Sequence, residues 1–179
     1  AGGRGRGRIS ERPRLSKLRD EAEARIILLL APAGDGKTTL ARQWSKTLNG
    51  AIWVSLTAGH RDVARFAEDS AQGIDALGGR ASKFIGEYVR SRGNPQRAAR
   101  DLASALAEHC EDARVQWLVL DDYHDLGDAP EAEDLLVALQ ERAQFRLVVT
   151  ARARPDWATS RRSLYGEIFE IDCFSLALA

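Results

Sequence analysis

Five apolar runs of strand length punctuate this chain, and between them apolar residues return at helical spacing. The runs predict strands at about Arg25–Ala31, Ala51–Leu56, Val115–Asp122, Phe145–Arg152 and Glu167–Ile171. The unbroken apolar character of the second suggests burial on both faces, as in a parallel sheet. After the first run, Leu40, Ala41, Trp44 and Leu48 share one face of a helix expected over Thr38–Leu48, which Asn49-Gly50 would stop. Further helices are predicted at Arg61–Leu77, Ala81–Ser91, Pro95–Cys110 and Pro130–Ala143, with a short one at Arg14–Ala24 that Pro13 begins and that turns Leu15 and Leu18 inward. Phe66, Ile74, Phe84, Tyr88, Leu102 and Leu106 are expected to line a core. Five strands alternating with helices imply an α/β fold, a doubly wound five-stranded parallel sheet.

The junction between the first strand and its helix changes the picture from fold to chemistry. It reads Ala31-Pro32-Ala33-Gly34-Asp35-Gly36-Lys37-Thr38-Thr39. In such a turn the backbone N–H groups and the N-terminus of the following helix form a nest for phosphate oxygens. Lys37 would reach the β- and γ-phosphates, the Thr38 hydroxyl would coordinate Mg²⁺, and Thr39 could add a contact to the α-phosphate. ATP binding is the expectation, with Ala33, Gly34, Asp35 and Gly36 completing the cradle. A strict pattern asks for glycine where Ala31 stands, so the bare alternative is a glycine turn without function. Asp35 is the unwelcome residue, because a carboxylate at the lip of an anion site repels phosphate unless it faces solvent.

A nucleotide site of this kind needs acidic residues at the end of a second strand. Leu118-Val119-Leu120-Asp121-Asp122 supplies them, read as a Walker B element in which Asp121 serves the Mg²⁺ shell and Asp122 polarises the attacking water. The competing reading is an acidic pair that merely starts a turn. The strand ending Val149-Thr150-Ala151-Arg152 should fit between the other two, bringing Thr150 and Arg152 to the same sheet edge. Arg152 would then contact the γ-phosphate or stabilise transition-state charge, with Arg154 a weaker rival. The bland alternative is that both arginines are solvated loop residues.

Composition narrows the remaining classes. The chain has 179 residues, room for one core, and its 26 basic and 26 acidic residues balance, so nothing in the overall charge demands nucleic acid or an anionic membrane. Residues 1–8 alternate glycine and arginine and are expected to be a flexible arm, as linker or as a loose contact to nucleic acid, ahead of one domain over residues 9–179. No apolar run is long enough for a membrane helix, and no signal peptide is visible, which predicts a cytoplasmic protein. Cys110 and Cys173 show no framework or metal spacing with His60, His109 or His124 and are read as reduced, with His109 and Cys110 expected at the surface. No methionine is present, which suggests a processed chain or part of something longer.

Several strings together resemble a known family: Ala31 to Leu40, Gln43-Trp44, Trp53-Val54-Ser55-Leu56 and Leu118 to His124 look like the P-loop NTPase domain of MalT-like transcription regulators, a branch of the STAND signalling ATPases. Arg12-Pro13-Arg14-Leu15 matches that family's lead-in segment, and Ala31 in place of the first glycine is normal for it. The resemblance spans Ile9 to Ile171. It implies a switch in which ADP holds a resting form and ATP with an inducer favours a self-associating, transcription-activating form that slow hydrolysis resets. It also implies that Ile9 and the Arg12 region meet the adenine, and that Lys37, Thr38, Asp121, Asp122 and Arg152 keep the roles above. His124 matches a family position. Asp35 departs from the uncharged residue usual there. With only Asp172 to Ala179 left after Ile171, the chain is expected to lack the family's downstream inducer- and DNA-binding domains and to bind no DNA itself. A nucleotide-binding scaffold that does not hydrolyse ATP, or a P-loop ATPase of another class, are the alternatives.

Overall fold

A computed structural model describes residues 23–172, apart from 33, 35, 92–94 and 127–128. Strands β1 (Ile26–Leu30), β2 (Ala51–Ser55), β3 (Trp117–Asp121), β4 (Arg146–Ala151) and β5 (Ile168–Asp172) pair in parallel in the order β2-β3-β4-β1-β5. The fourth strand does lie between the first and third. Its register sets Leu30 beside Ala151 on one side and Val119 beside Val148 on the other. Helices α1 (Lys37–Thr47), α2 (Val63–Ala76), α3 (Ala81–Ser91), α4 (Pro95–Asp112), α5 (Pro130–Arg142) and the short α6 (Ser160–Leu164) fill the connections. Single 3₁₀ turns occupy Ala58–Arg61 and Tyr123–Leu126.

Alternation along each strand divides the core in two, because successive side chains point to opposite faces. Ile26, Leu28, Leu118, Leu120, Leu147 and Val149 face the larger half, where α2, α4 and α5 contribute Phe66, Ile74, Leu102, Leu106, Leu135 and Leu139. Ile27, Leu29, Val119 and Val148 face the smaller half and meet Leu40, Ala41 and Trp44 of α1. The helix that begins at the glycine turn is thus packed under β3 and β4 by its own apolar stripe. Each fully buried Leu or Ile in such a seam contributes about 1.5–3 kcal/mol over its exposed state, which fixes the helix axis and with it the direction of its N-terminus.

Three expectations are corrected. β2 is an edge strand, and only Ile52 and Val54 are buried, alternating with half-buried Ala51 and Trp53. Phe84 is 49% exposed and leans on His109, while the neighbouring Ile85 takes the core position one residue around α3. Cys110 is buried at the end of α4, where desolvation pushes its thiol up to about 12. The short α6 was not anticipated. The helix expected at Arg14–Ala24 lies outside the described residues except for Glu23 and Ala24, which are not helical. Residues 1–8 and Cys173 also lie outside them.

Tight turns at the opposite end of the sheet hold the strands in register. Gly50 has φ 66° and stands so close to the chain that a Cβ would lie 2.7 Å from the Arg114 carbonyl oxygen. Its own carbonyl accepts from Gln116 and Trp117 at 2.8 and 3.2 Å, locking β2 to the start of β3. Arg25 donates to the Gln140 and Ala143 carbonyls and so caps the C-terminus of α5.

Candidate functional site

The carboxyl ends of β1, β3 and β4 meet at one sheet edge, and the polar residues singled out above emerge there. Gly36, with φ 79°, is the N-cap of α1. It supplies no side-chain cap, and the first turn of the helix contains no acidic residue. The first N–H groups of an α-helix have no intrahelical acceptor, so this terminus presents donors and the positive end of the helix dipole. Gly34, at φ 90°, takes another left-handed step that a larger residue would adopt only at a cost. Chain neighbours aside, no heavy atom of the described residues lies within 4 Å of a Cβ built at either glycine, which leaves space beside the backbone there.

Lys37 is 5% exposed, and its ammonium folds back to donate to the Pro32 carbonyl at 3.1 Å. Thr38 reaches across to β3. Its hydroxyl lies 3.0 Å from Asp121 Oδ1 and 3.2 Å from Oδ2. Asp121 is 4% exposed and receives a second hydroxyl, from Thr150 on β4, at 2.6 Å. The Thr150 oxygen in turn accepts from the Asp122 N–H at 2.9 Å, using its one donor and a lone pair. Three chain segments are therefore joined through one carboxylate. Asp122 sits at φ 62°, a left-handed conformation that aspartate tolerates better than most residues.

Arg152 follows the last residue of β4 and is exposed. Register brings it to the glycine turn, since the Ala151 carbonyl accepts from Ala31 N at 3.2 Å. Arg154 is committed elsewhere, donating to Glu170 on β5 at 2.6 Å. Thr39 is exposed on α1. Ile9, Arg12, Ala33 and Asp35 lie outside the described residues, as does the side chain of His124. The structure thus joins Thr38, Asp121 and the Asp122 backbone, sets Lys37 next to Thr38 at the start of α1, and adds Thr150 as the connector. Its signal in the sequence is a lone hydroxyl at the end of an apolar strand.

Beyond the acidic turn, Tyr123 is buried, and its hydroxyl donates to Glu133 at 3.1 Å while accepting from Trp157 Nε1 at 2.9 Å. Burial raises the tyrosine well above its ordinary value and raises the Glu133 carboxyl as well. Among the described residues no group of three or more His, Cys, Asp or Glu side chains converges as a self-sufficient metal site. No described helix is long and apolar enough to cross a membrane.

The family model described as AAA domain matches residues 19–155, most of the chain, taking in Lys37, Thr38, Asp121, Asp122, Thr150 and Arg152 but not Trp157, α6 or β5. The chain belongs to the AAA domain family. As an AAA domain it is a nucleotide-binding module of the P-loop ATPase kind, and the sheet described here is that module's α/β core. It is similar to the HTH-type transcriptional regulator MalT of Klebsiella pneumoniae, with 28% identity over 164 residues. That alignment takes in 91% of this chain and 18% of the regulator, so the AAA domain spans under a fifth of the length of that relative. Among solved structures, it is similar to C. elegans PCH-2, with 15% identity, 89% of this chain and 39% of that one covered and a TM-score of 0.44. A DNA replication initiation factor is similar at 18% identity, 93% and 48% coverage and a TM-score of 0.46.

Proposed function

We propose that this AAA domain is an ATP/ADP switch for a transcription regulator, hydrolysing ATP slowly with Mg²⁺. The observation that carries the reading is the Thr38–Asp121 contact, because it unites the phosphate-facing end of α1 with the acidic end of β3. Mg²⁺ prefers hard oxygen ligands and is held by one or two protein oxygens together with substrate phosphates. The Thr38 hydroxyl and the Asp121 carboxylate, already within 3.2 Å of each other, are an oxygen pair of that chemistry. They would hold the ion, which would supply charge neutralisation at the β- and γ-phosphates. Lys37 would leave the Pro32 carbonyl for the phosphates, and Asp122 would orient the attacking water.

Arg152 would read the terminal phosphate, and Ile9 and the Arg12 region would line the adenine. The similarity to a protein named as an HTH-type transcriptional regulator supports regulatory and DNA-binding domains as partners within a longer chain; a cytoplasmic setting and nucleotide-dependent self-association belong to the same proposal. DNA recognition would then belong to those partners. Calorimetric titration with ATP and ADP, with and without Mg²⁺, followed by single-turnover hydrolysis, tests the reading. Micromolar or tighter binding with slow turnover supports a switch. Binding without turnover identifies a scaffold that has lost hydrolysis, and absence of binding overturns the site.

A further inference from the structure

The loop that follows β4 is fastened to the acidic turn by a buried hydrogen bond. Residues 152–159 connect β4 to α6 and carry both Arg152 and Trp157. The Trp157 indole donates to the Tyr123 hydroxyl, and the two rings meet edge to face with centroids 5.8 Å apart. Tyr123 directly follows Asp122, the kinked residue whose N–H is held by Thr150. On its far side the tryptophan is anchored as well. Its carbonyl accepts from Arg162 Nη1 at 3.3 Å, and that guanidinium stands 5.8 Å from the indole centroid. Within the loop, Arg154 is tied to β5 by Glu170, whereas Arg152 is exposed beside the end of β4.

We propose that Trp157 and Tyr123 are positioning residues that tie the arginine-bearing loop to the acidic turn, so that Arg152 is placed for a nucleoside triphosphate and not for a diphosphate. This rests on the phosphate-site reading above. The two segments share any displacement. The Tyr123 hydroxyl is dry and uses its hydrogen as donor to Glu133, so the indole N–H has no water to exchange for it. A movement of the acidic turn toward a metal-bound terminal phosphate must carry Trp157 along or break that bond. Because the tryptophan is also held by Arg162, it links the acidic turn to the far end of the loop, and Arg152 lies on the stretch between that anchor and β4. A ligand shifts such an equilibrium only by the difference in its affinity for the two arrangements, and the terminal phosphate is the group that ATP has and ADP lacks.

The test uses the full chain and four proteins: wild type, Trp157→Phe, Arg152→Ala and the double variant. Phenylalanine keeps an aromatic ring and removes the indole donor. The Kd for Mg-ATP and for Mg-ADP is measured by calorimetry, and kcat is separated from KM in hydrolysis. The expected result is that Trp157→Phe lowers the preference for ATP over ADP by about three- to tenfold, the size of one lost hydrogen bond, with the ADP Kd unchanged. The double variant should then lose no more than Arg152→Ala alone, since one residue acts through the other. Equal weakening of ATP and ADP, no change in either, or additive losses would overturn the proposal. So would a wild type that binds both nucleotides equally. Should Trp157→Phe fail to fold, Tyr123→Phe breaks the same bond from the other side and carries the same expectation. Lys37→Ala separates the two levels. If wild type binds nucleotide and the lysine variant binds it much more weakly, indifference of Trp157→Phe sinks only the coupling; if wild type binds none, the phosphate site itself is wrong.

Discussion

Replacing Thr150 by valine isolates the connector of the site with almost no change of shape. The residue is fully buried on β4, and its hydroxyl makes two bonds that valine cannot, to Asp121 at 2.6 Å and from the Asp122 N–H at 2.9 Å. A hydrogen bond to a carboxylate contributes about 1.5–3 kcal/mol, and an N–H left without an acceptor costs about 1–3 kcal/mol when buried. Both figures are reduced here, because Thr38 still donates to Asp121 and Asp122 is only half-buried. The extra methyl of valine would stand where the hydroxyl was, beside the Asp121 carboxylate, and returns little of the loss. The net expectation is a destabilisation of about 2–3 kcal/mol, equivalent to about 4–12 °C in Tm for a chain of this size.

Equilibrium urea unfolding is the assay, with an unchanged m-value as the sign that only the folded state was altered. Thr150→Ser is the companion, since it keeps both hydrogen bonds and gives up one methyl, worth about 0.8 kcal/mol before any cavity cost. The order of stability should therefore be threonine, serine, valine. A valine variant within about 0.5 kcal/mol of wild type, or more stable than the serine variant, would show that the hydroxyl does not hold the three segments together.

Other perturbations separate binding, chemistry and pH. Lys37→Ala should weaken ATP and ADP binding by roughly ten- to a hundredfold, the scale of a charge-assisted contact, and calorimetry reads it directly. Asp122→Asn keeps a residue type at home in the left-handed conformation and should retain nucleotide binding while stopping single-turnover hydrolysis. Removing residues 1–14 should weaken ATP binding more than inorganic triphosphate binding; equal effects would refute the adenine assignment. For Glu133, burial raises the carboxyl above its ordinary 4.5, so the folded state holds that proton more tightly than the unfolded one. The stability this contributes is present below 4.5 and is lost as pH rises through the folded value. Glu133→Gln should consequently gain in Tm relative to wild type at neutral pH, and the gain should vanish in acid.

How far the sequence could be read depended on the range of the interaction. The glycine turn, the acidic strand end and the spacing of α1 are local patterns, and each leaves its mark within a dozen residues. The placement of β4 between β1 and β3 was legible because polar groups at three strand ends needed a common edge. Burial was less legible where it depended on neighbours. Ile52-Trp53-Val54 is apolar throughout, yet β2 lies at an edge, and helical periodicity cannot choose between Phe84 and Ile85 without knowing where α4 passes. Tyr123, Glu133 and Trp157 carry no motif, and only the fold brings them together. Arg154 looked like a rival to Arg152 until β5 set Glu170 beside it.

The strand order has a consequence for how the molecule is made. Ile26 pairs with Leu147 on one side and Ile168 on the other, so β1 leaves the ribosome long before either neighbour exists. Non-local pairing of this kind is slow and leaves apolar edges waiting. The glycine turn that follows β1 is thus made before both strands that flank β1 and is seated only after them. A ligand that grips that turn would act late in assembly, as a clasp on a nearly finished sheet.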